Sequence, residues 1–173
     1  ELELEAREGP PLSDGSLGSR AAVEDHDQNR SRSDFKNVVV TAVRDLADEM
    51  ATRRPQVMEG IAAAWIADQY SIFRRLAIHV VRVYPDRFPG LLVRLLGERA
   101  NLYDPLIHHE FYLLMESAFG KAPESVRQRL LDWIMEGEPP EELGRSRRHY
   151  RERTGDQPSE QLVRAWNDHW ILT

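Results

Sequence analysis

The sequence has no cysteine and almost no lysine. Without cysteine the protein has no disulfide bridge, no thiolate zinc site and no cysteine nucleophile, and it is indifferent to the redox state of its compartment. We therefore expect a cytoplasmic location by default. Lys36 and Lys121 are the only lysines among 23 basic residues, and we interpret this arginine bias as a sign of a GC-rich bacterial genome.

Long apolar runs are also missing. No stretch approaches the roughly 20 apolar residues that a membrane-spanning helix needs, which excludes a membrane span. An excess of positive charge is missing as well, because the formal net charge is -6. Residues 1–33 contain eight acidic residues and four arginines, so the rest of the chain has a net charge of about -2. The body of the protein therefore has no overall field that would attract nucleic acid.

A chain of 173 residues, of which 41% are hydrophobic and 30% charged, is typical of one soluble domain with its own core. It begins at Glu1 and ends inside an apolar helical pattern, so we interpret it as a fragment of a larger bacterial protein. Residues 1–33 are polar, rich in turn-forming residues and have almost nothing to bury. They predict a disordered linker or arm.

After residue 33 the apolar residues recur at helical spacing, and no strand pattern competes. Prolines and glycines divide this region into six predicted helices. Their predicted ranges are residues 33–53, 55–66, 71–84, 86–97, 104–120 and 123–137. The apolar face predicted for the first helix consists of Phe35, Val38, Val39, Ala42, Val43, Leu46, Ala47 and Met50. Val57, Val83 and Leu131 are assigned to the apolar faces of the second, third and sixth helices. The sequence thus predicts an all-α core over residues 34–137.

The predicted helices repeat in register as pairs. A shift of 35 residues superimposes Leu76 on Phe111 and Leu95 on Leu130, and a shift of 34 aligns the preceding pair in the same way. Short turns make neighbouring helices antiparallel, which predicts stacked helical hairpins, an α-solenoid of HEAT, armadillo or TPR type. Within it we expect Leu76, Val80, Leu95 and Leu130 to form a continuous core.

Beyond the sixth helix the pattern weakens. Residues 138–157 are polar and arginine-rich, and they predict either a short exposed helix or a loop. Residues 158–173 are typical of the start of a further, truncated helical repeat, in which Leu162, Trp166 and Trp170 follow one another at i, i+4 and i+8. These three residues are candidate partner-binding residues. The next repeat would cover them, and without it we expect self-association through this C-terminal helix.

Three runs in the helical region have a family resemblance. They are Phe73-Arg74-Arg75-Leu76-Ala77-Ile78-His79, His109-Glu110-Phe111-Tyr112, and Leu131-Asp132-Trp133-Ile134 with Glu136-Gly137. Through them residues 35–137 resemble the helical-repeat regions of large bacterial STAND-type NTPases and related anti-phage defence proteins. The resemblance implies an N-terminal effector and a nucleotide-binding module elsewhere in the full protein. It also implies that the helical array senses a foreign protein or mediates assembly.

Residues for nucleotide or metal chemistry are not recognisable in this sequence. Neither Lys36 nor Lys121 lies in the Gly-x-x-x-x-Gly-Lys-[Ser/Thr] context in which a P-loop cradles phosphates. There is no acid/base pair and no nucleophile with a suitably spaced histidine. His108-His109-Glu110 has metal-binding side chains, but adjacent helix positions diverge by about 100°, whereas two ligands on one helix usually lie at i, i+4. We therefore predict no catalytic residue, no metal site and no cofactor.

The adjacent residues Arg74 and Arg75 allow three interpretations. They could form an ion pair with Glu110 across adjacent repeats, or Arg75 could project into a groove as an anion sensor. Solvated or locally paired arginine is the more frequent outcome, and it is the favoured interpretation here.

Two functions from different classes remain. The favoured one is a non-catalytic scaffold or sensor segment of a larger bacterial protein, of the anti-phage defence type, that contacts a protein partner or neighbouring domains of its own chain. The alternative is a nucleic-acid-contacting helical module, because guanidinium groups pair with phosphate and the interleaved Tyr150 could stack on a base. Its candidate contact residues are Arg145, Arg147, Arg148, Arg151 and Arg153. The acidic total charge makes this alternative the less favoured one.

Overall fold

The computed structural model of the protein describes residues 20–25, 29, 35–137 and 140–163. Within these residues the chain forms seven α-helices and no β-strand, so the predicted all-α class is confirmed. The helices are α1 (Phe35–Arg53), α2 (Pro55–Ile66), α3 (Ser71–Val83), α4 (Pro89–Leu96), α5 (His108–Ala118), α6 (Glu124–Glu136) and α7 (Pro140–Thr154). Two short 3-10 helices, Arg99–Leu102 and Phe119–Lys121, lie between α4 and α5 and between α5 and α6.

Most helix limits follow from prolines and glycines. Pro55 and Pro89 lie in the first turns of α2 and α4, where the missing amide hydrogen would have had no helical partner. Gly137 ends α6 with a φ of 78°, a left-handed conformation that glycine adopts without steric cost. The limits at Pro55 and Gly137 agree with the prediction, whereas α4 begins at Pro89, after the predicted cap Asp86. The predicted start of α5, with Asp104 as the cap and Pro105 as the first helical residue, is wrong by three residues, because Asp104 accepts a hydrogen bond from the Leu106 amide (2.9 Å) and holds a turn before the helix.

α3 is the central helix. It packs against α1, α2, α4 and α5, while α4 also packs against α6. All seven residues from Arg75 to Val81 are buried, which leaves this part of α3 enclosed on every side. Two of the seven, Arg75 and His79, are ionisable. Their polar atoms therefore need partners inside the protein.

The core lies between α1 and α6 and contains the residues that the helical period predicted. Leu76, Val80, Leu95 and Leu130 are all buried, as expected. The last three belong to one continuous apolar cluster that includes Phe88, Phe111 and other residues of every helix from α1 to α6, whereas Leu76 is buried outside it, so the predicted continuity holds for three of the four. Helix stacking as a solenoid stays a prediction.

Outside α1, three residues assigned to apolar faces are exposed in the structure: Val57, Val83 and Leu131. Val57 and Leu131 are direct neighbours of the buried residues Met58 and Leu130. Adjacent helix positions point about 100° apart, and α2 and α6 are oriented so that Met58 and Leu130 face the core while their neighbours face solvent. Burial therefore depends on the rotation of each helix about its axis.

The apolar face predicted for α1 is wrong. The residues that α1 buries are Asn37, Arg44, Ala47 and Ala51. Its large exposed hydrophobic residues, with their exposed fractions, are Phe35 (78%), Val38 (50%), Val39 (42%) and Leu46 (56%). Of the predicted face, Ala47 and part of Met50 pack against the core. The helix has been turned so that its polar side faces inward.

After α6 the chain continues as a helix and not as a loop. α7 has Arg151 and Arg153 in its last turn, where positive charge is favourable beside the negative end of the helix dipole. A further helical turn at residues 160–163 begins at Ser159, whose Oγ accepts a hydrogen bond from the Leu162 amide (3.2 Å). Among the described residues there is no helix with the length and apolarity needed to cross a membrane.

Candidate functional site

A buried ion pair joins α3 to α5. Arg75 donates hydrogen bonds from Nε to Oε2 of Glu110 (2.9 Å) and from Nη2 to Oε1 of Glu110 (2.8 Å). The two side chains are 0% and 4% exposed. They lie 35 residues apart, which is the predicted repeat spacing, and the interpretation as an inter-helical pair is confirmed for Arg75. Solvated arginine, which the sequence favoured, is wrong here because α3 is enclosed.

Arg74 has different partners. Its Nη1 lies 2.5 Å from Oδ2 of Asp104 and its Nη2 lies 3.3 Å from Oδ1 of Asn101. These three side chains line an open cleft of about 370 Å³ beside the end of α2. The Arg74 side chain is only 15% exposed and its carboxylate partner is 30 residues away, so a solvated or locally paired arginine is wrong here as well. The two arginines differ because neighbouring positions on a helix point in different directions.

The Arg75 and Glu110 pair binds the backbone of residues 20–25. Arg75 Nη2 also donates to the carbonyl oxygens of Arg20 (3.0 Å) and Ala21 (2.9 Å). Oε1 of Glu110 accepts a hydrogen bond from the Val23 amide (3.0 Å). The buried charges therefore have the additional hydrogen bonds that a buried ion pair needs.

The side chains of this segment divide into an apolar part and an acidic part. Ala22 and Val23 are 1% and 0% exposed. The next residue, Glu24, accepts a hydrogen bond from Arg82 Nη2 of α3 at 2.6 Å. Asp25 accepts one from Arg44 Nη1 of α1 at 2.9 Å. Residues 20–25 thus lie in a groove between α1, α3 and α5, which we call the segment groove.

The side chain of Arg20 folds back over its own segment, and its Nη2 donates to the Val23 carbonyl oxygen (2.5 Å). Its Nη1 donates to the Asn37 carbonyl (3.2 Å) and to Thr41 Oγ1 (2.9 Å), both on α1. Burial lowers the pKa of Arg20, and the positive charge of Arg44 lowers it further, while Asp25 acts in the opposite direction. The positive charges of Arg20 and Arg44 therefore lie close together in the groove.

Arg44 is better compensated than Arg20. Burial alone acts to lower the pKa of Arg44, but its hydrogen bonds with Asp25 and Asp45 and their negative charges raise it above the ordinary value. Arg44 Nη1 also lies 3.3 Å from the Val23 carbonyl oxygen. Arg44, on the inward side of α1, thus binds both acidic side chains and the backbone of the segment.

Residues 20–25 belong to the segment that the sequence predicted as a linker with almost nothing to bury. The described part of it differs from that expectation, because Arg20, Ala22 and Val23 are buried. The cause is the pairing of the segment's backbone with Arg75 and Glu110, two side chains more than 50 residues away in sequence. The rest of the predicted arm, apart from Asn29, lies outside the described residues.

Histidines lie at the rim of the groove. His79 Nε2 is 3.5 Å from Asp48 Oδ2, and His109 Nε2 is 3.7 Å from Glu24 Oε1. The His108-His109-Glu110 run does not converge on one point, since Glu110 binds Arg75. In the part of the chain that the structure describes, no three histidine or acidic side chains are grouped as metal ligands.

The candidate nucleic-acid contacts lie on α7. Arg147, Arg148, Arg151 and Arg153 are exposed, and Tyr150 is half-buried. By helical spacing, the first three share one side of α7 and Arg153 lies on another. The side chain of Arg145 lies outside the described residues. The structure therefore brings three of the five predicted arginines together.

The C-terminal candidates are described only in part. Leu162 is half-buried, and its neighbour Val163 is buried. Trp166 and Trp170 lie outside the described residues, so their part in partner binding and self-association stays a prediction.

Sequence reasoning missed the groove and its occupant. One signal was available, because Ala21-Ala22-Val23 is the only run of three apolar residues within residues 1–33. A second was the polar pair Asn37 and Arg44, which are seven residues apart on one side of α1. Neither signal alone predicts that residues 20–25 contact this side of α1.

No protein-family profile matches this chain, and no curated protein or solved structure is significantly similar to it.

Proposed function

We propose that the chain is a non-catalytic interaction module, a segment of a helical scaffold whose helix α1 docks a helix of a partner protein or of a neighbouring domain. The observation that supports the proposal is the exposed apolar stripe of α1. We call it the α1 stripe; it consists of Phe35, Val38, Val39, Ala42 and Leu46, which are all exposed. Contiguous exposed apolar surface of this kind is typical of protein interaction sites.

The orientation of α1 is not a consequence of loose packing. Its inward side contacts the segment groove: the Asn37 carbonyl and Thr41 accept hydrogen bonds from Arg20, and Arg44 binds Asp25. Rotating α1 to bury its stripe would break these contacts and expose Ala47 and Ala51, which are buried. The fold thus holds the apolar side of α1 in solvent.

The shape of the stripe suits one amphipathic helix. Its residues recur at i, i+3, i+4, i+7 and i+11, which makes a straight line about 16 Å long at 1.5 Å per residue. Two helices commonly pack along such ridges at crossing angles of about 20° or 50°. Burying a large apolar side chain against a partner is favourable by about 1.5–3 kcal/mol.

Two further features support a place in a helical scaffold. Alternate helices pack on one another, α1 on α3 and α3 on α5, as successive layers of a solenoid do. α1 is the first helix of the described stack, and its outward side is where a preceding helical layer would pack. The resemblance to repeat regions of bacterial STAND-type NTPases belongs to this proposal, as do the cytoplasmic location and a role in anti-phage defence.

Photocrosslinking from the α1 stripe tests the proposal. A photoreactive amino acid at Val38 in the full-length protein, in its native cells, should crosslink to a peptide with amphipathic helical spacing. Replacing Leu46 by aspartate in the same chain should abolish that product, because it puts a charge into the apolar contact. Leu46 is 56% exposed, so this replacement should change the free energy of unfolding by less than about 0.5 kcal/mol.

Met135 on α6 provides the matched control, since it is 79% exposed and lies outside the stripe. The same photoreactive group at Met135 should not give the product obtained at Val38. Equal products from both positions, or a Val38 product that persists in the Leu46→Asp chain, would refute a docking role for α1.

The exposed arginines on α7 favour a second candidate function, contact with nucleic acid. Arg147, Arg148 and Arg151 share one side of the helix, and guanidinium groups pair well with phosphates. Against it, the formal net charge is -6.

Salt dependence decides between the two functions. If α7 binds nucleic acid, the affinity for a labelled single-stranded oligonucleotide should fall steeply between about 50 and 200 mM salt, since bound phosphates release counterions. Replacing Arg147, Arg148 and Arg151 by glutamine should then weaken binding and reduce the salt slope. We expect the protein to bind the oligonucleotide only weakly, and the triple replacement to leave this binding unchanged. A steep salt dependence that the triple replacement removes would favour the nucleic-acid function.

A further inference from the structure

Residues 20–25 lie in the segment groove as a bent peptide whose main chain is bound by the helices. The carbonyls of Arg20 and Ala21 accept from Arg75, the Val23 amide donates to Glu110, and the Val23 carbonyl lies within hydrogen-bond reach of Arg44. Asn29 holds the bend, because it accepts from the Ala22 amide (3.1 Å) and donates to the Glu24 carbonyl (2.9 Å). Recognition of the main chain, combined with pockets for particular side chains, is a general mode of peptide binding.

The buried charges of the groove walls keep partners of their own without the segment, and Arg82, which would lose its carboxylate partner Glu24, is 21% exposed. Arg75 and Glu110 bind each other through two hydrogen bonds. Arg44 keeps Asp45, which accepts from its Nε (2.9 Å) and Nη2 (2.7 Å). An emptied groove would therefore leave no uncompensated buried charge, which is the usual penalty for removing one partner from such a site.

The contacts also define the chemistry of the occupant. The positions of Ala22 and Val23 are fully enclosed and admit small apolar side chains. The next two positions face arginines, with Glu24 bound to Arg82 and Asp25 bound to Arg44.

We infer that the segment groove is a binding site for a bent peptide of a partner protein, with two small apolar residues followed by two acidic residues, and that residues 20–25 occupy it until such a peptide displaces them. The groove lies on the other side of α1 from the α1 stripe. Its function as a peptide site does not depend on helix docking.

A nicked form of the full chain provides the test. A specific protease site is introduced between residues 30 and 34, so that after cleavage every residue is still present but residues 20–25 are no longer tethered to α1. The probe is a fluorescent synthetic peptide of residues 18–27. It should bind the nicked protein saturably and release the resident N-terminal piece, while circular dichroism shows that the helices remain. The uncut chain should bind at least about tenfold more weakly, because its tethered segment competes at an effective concentration on the order of millimolar.

Two peptide variants test the assigned contacts. The Val23→Asp peptide should bind at least about tenfold more weakly, since it places a charge in an enclosed apolar position. The Glu24→Arg peptide should also bind poorly to the unaltered nicked protein. Binding of this peptide should recover on a nicked protein that carries Arg82→Glu, because opposite charges then face each other again. A merely structural role of the segment would not produce this recovery.

Three results would overturn the inference. The first is a folded nicked protein that fails to bind the labelled peptide after the resident piece has left. The second is a resident piece that leaves only when the whole chain unfolds, which would make it a fixed part of the core. The third is an uncut chain that sediments as a dimer with exchanged segments, which would make a second copy the occupant.

Discussion

Replacing Glu110 by alanine should lower the free energy of unfolding by about 3–5 kcal/mol, because it leaves the fully buried guanidinium of Arg75 without its counter-charge. The same change removes the acceptor of the Val23 amide and so weakens the binding of residues 20–25. Total stabilities of domains are about 5–15 kcal/mol, so this loss should be large in a urea unfolding curve. A proteolysis assay should show residues 20–25 released at the same time.

The exposed pair of Glu49 and Arg53 on α1 is the matched control. Their carboxylate and guanidinium lie 2.8 Å apart, but the side chains are 51% and 75% exposed. Because solvent screens such a pair, Glu49→Ala should cost no more than about 0.5 kcal/mol. If both replacements have the same small effect, the pair between α3 and α5 is accessible to water and does not hold the segment.

Leu130→Ala should lower the free energy of unfolding by about 2–5 kcal/mol, because Leu130 is 1% exposed and its loss leaves a cavity between α4 and α6. The reason for choosing this residue is its neighbour. Leu131 is also a leucine of α6, yet it is exposed.

Leu131→Ala is therefore the internal control, and it should change the free energy of unfolding by about 0.5 kcal/mol or less. Chemical denaturation of both variants at equal protein concentration measures the difference. Equal losses for the two would show that α6 is rotated relative to the structure, and a loss larger for Leu131 would reverse the assignment of its buried face.

Helix limits could be predicted well because they depend on local chemistry. Pro55, Pro89 and Gly137 act within one turn of their own position, through a missing amide hydrogen or an allowed left-handed φ. The start of α5 was misplaced although Asp104 is a good capping residue. Its side chain instead holds a turn and binds Arg74, a contact from a distant helix.

The burial of leucines in the middle of the chain could also be predicted. Leu95 and Leu130 lie at the centre of broad apolar faces, so any reasonable rotation of their helices buries them. Residues at the edges of the apolar faces behave differently. Leu131 and Val57 lie next to buried residues, and a change in helix rotation of a few tens of degrees decides their exposure.

The sequence by itself determined the all-α class, the approximate helix limits and the central core positions, because each depends on spacing along one helix or on a single turn residue. Only the tertiary structure decided which side of α1 faces solvent and where residues 20–25 lie. Those outcomes depend on Arg75 and Glu110, which meet only when α3 packs on α5 and then bind backbone groups far away in the chain. The inward side of α1 is fixed by the hydrogen bonds that Asn37, Thr41 and Arg44 form with residues 20–25 and by the burial of Ala47 and Ala51, and neither can be seen from the helical period of the chain.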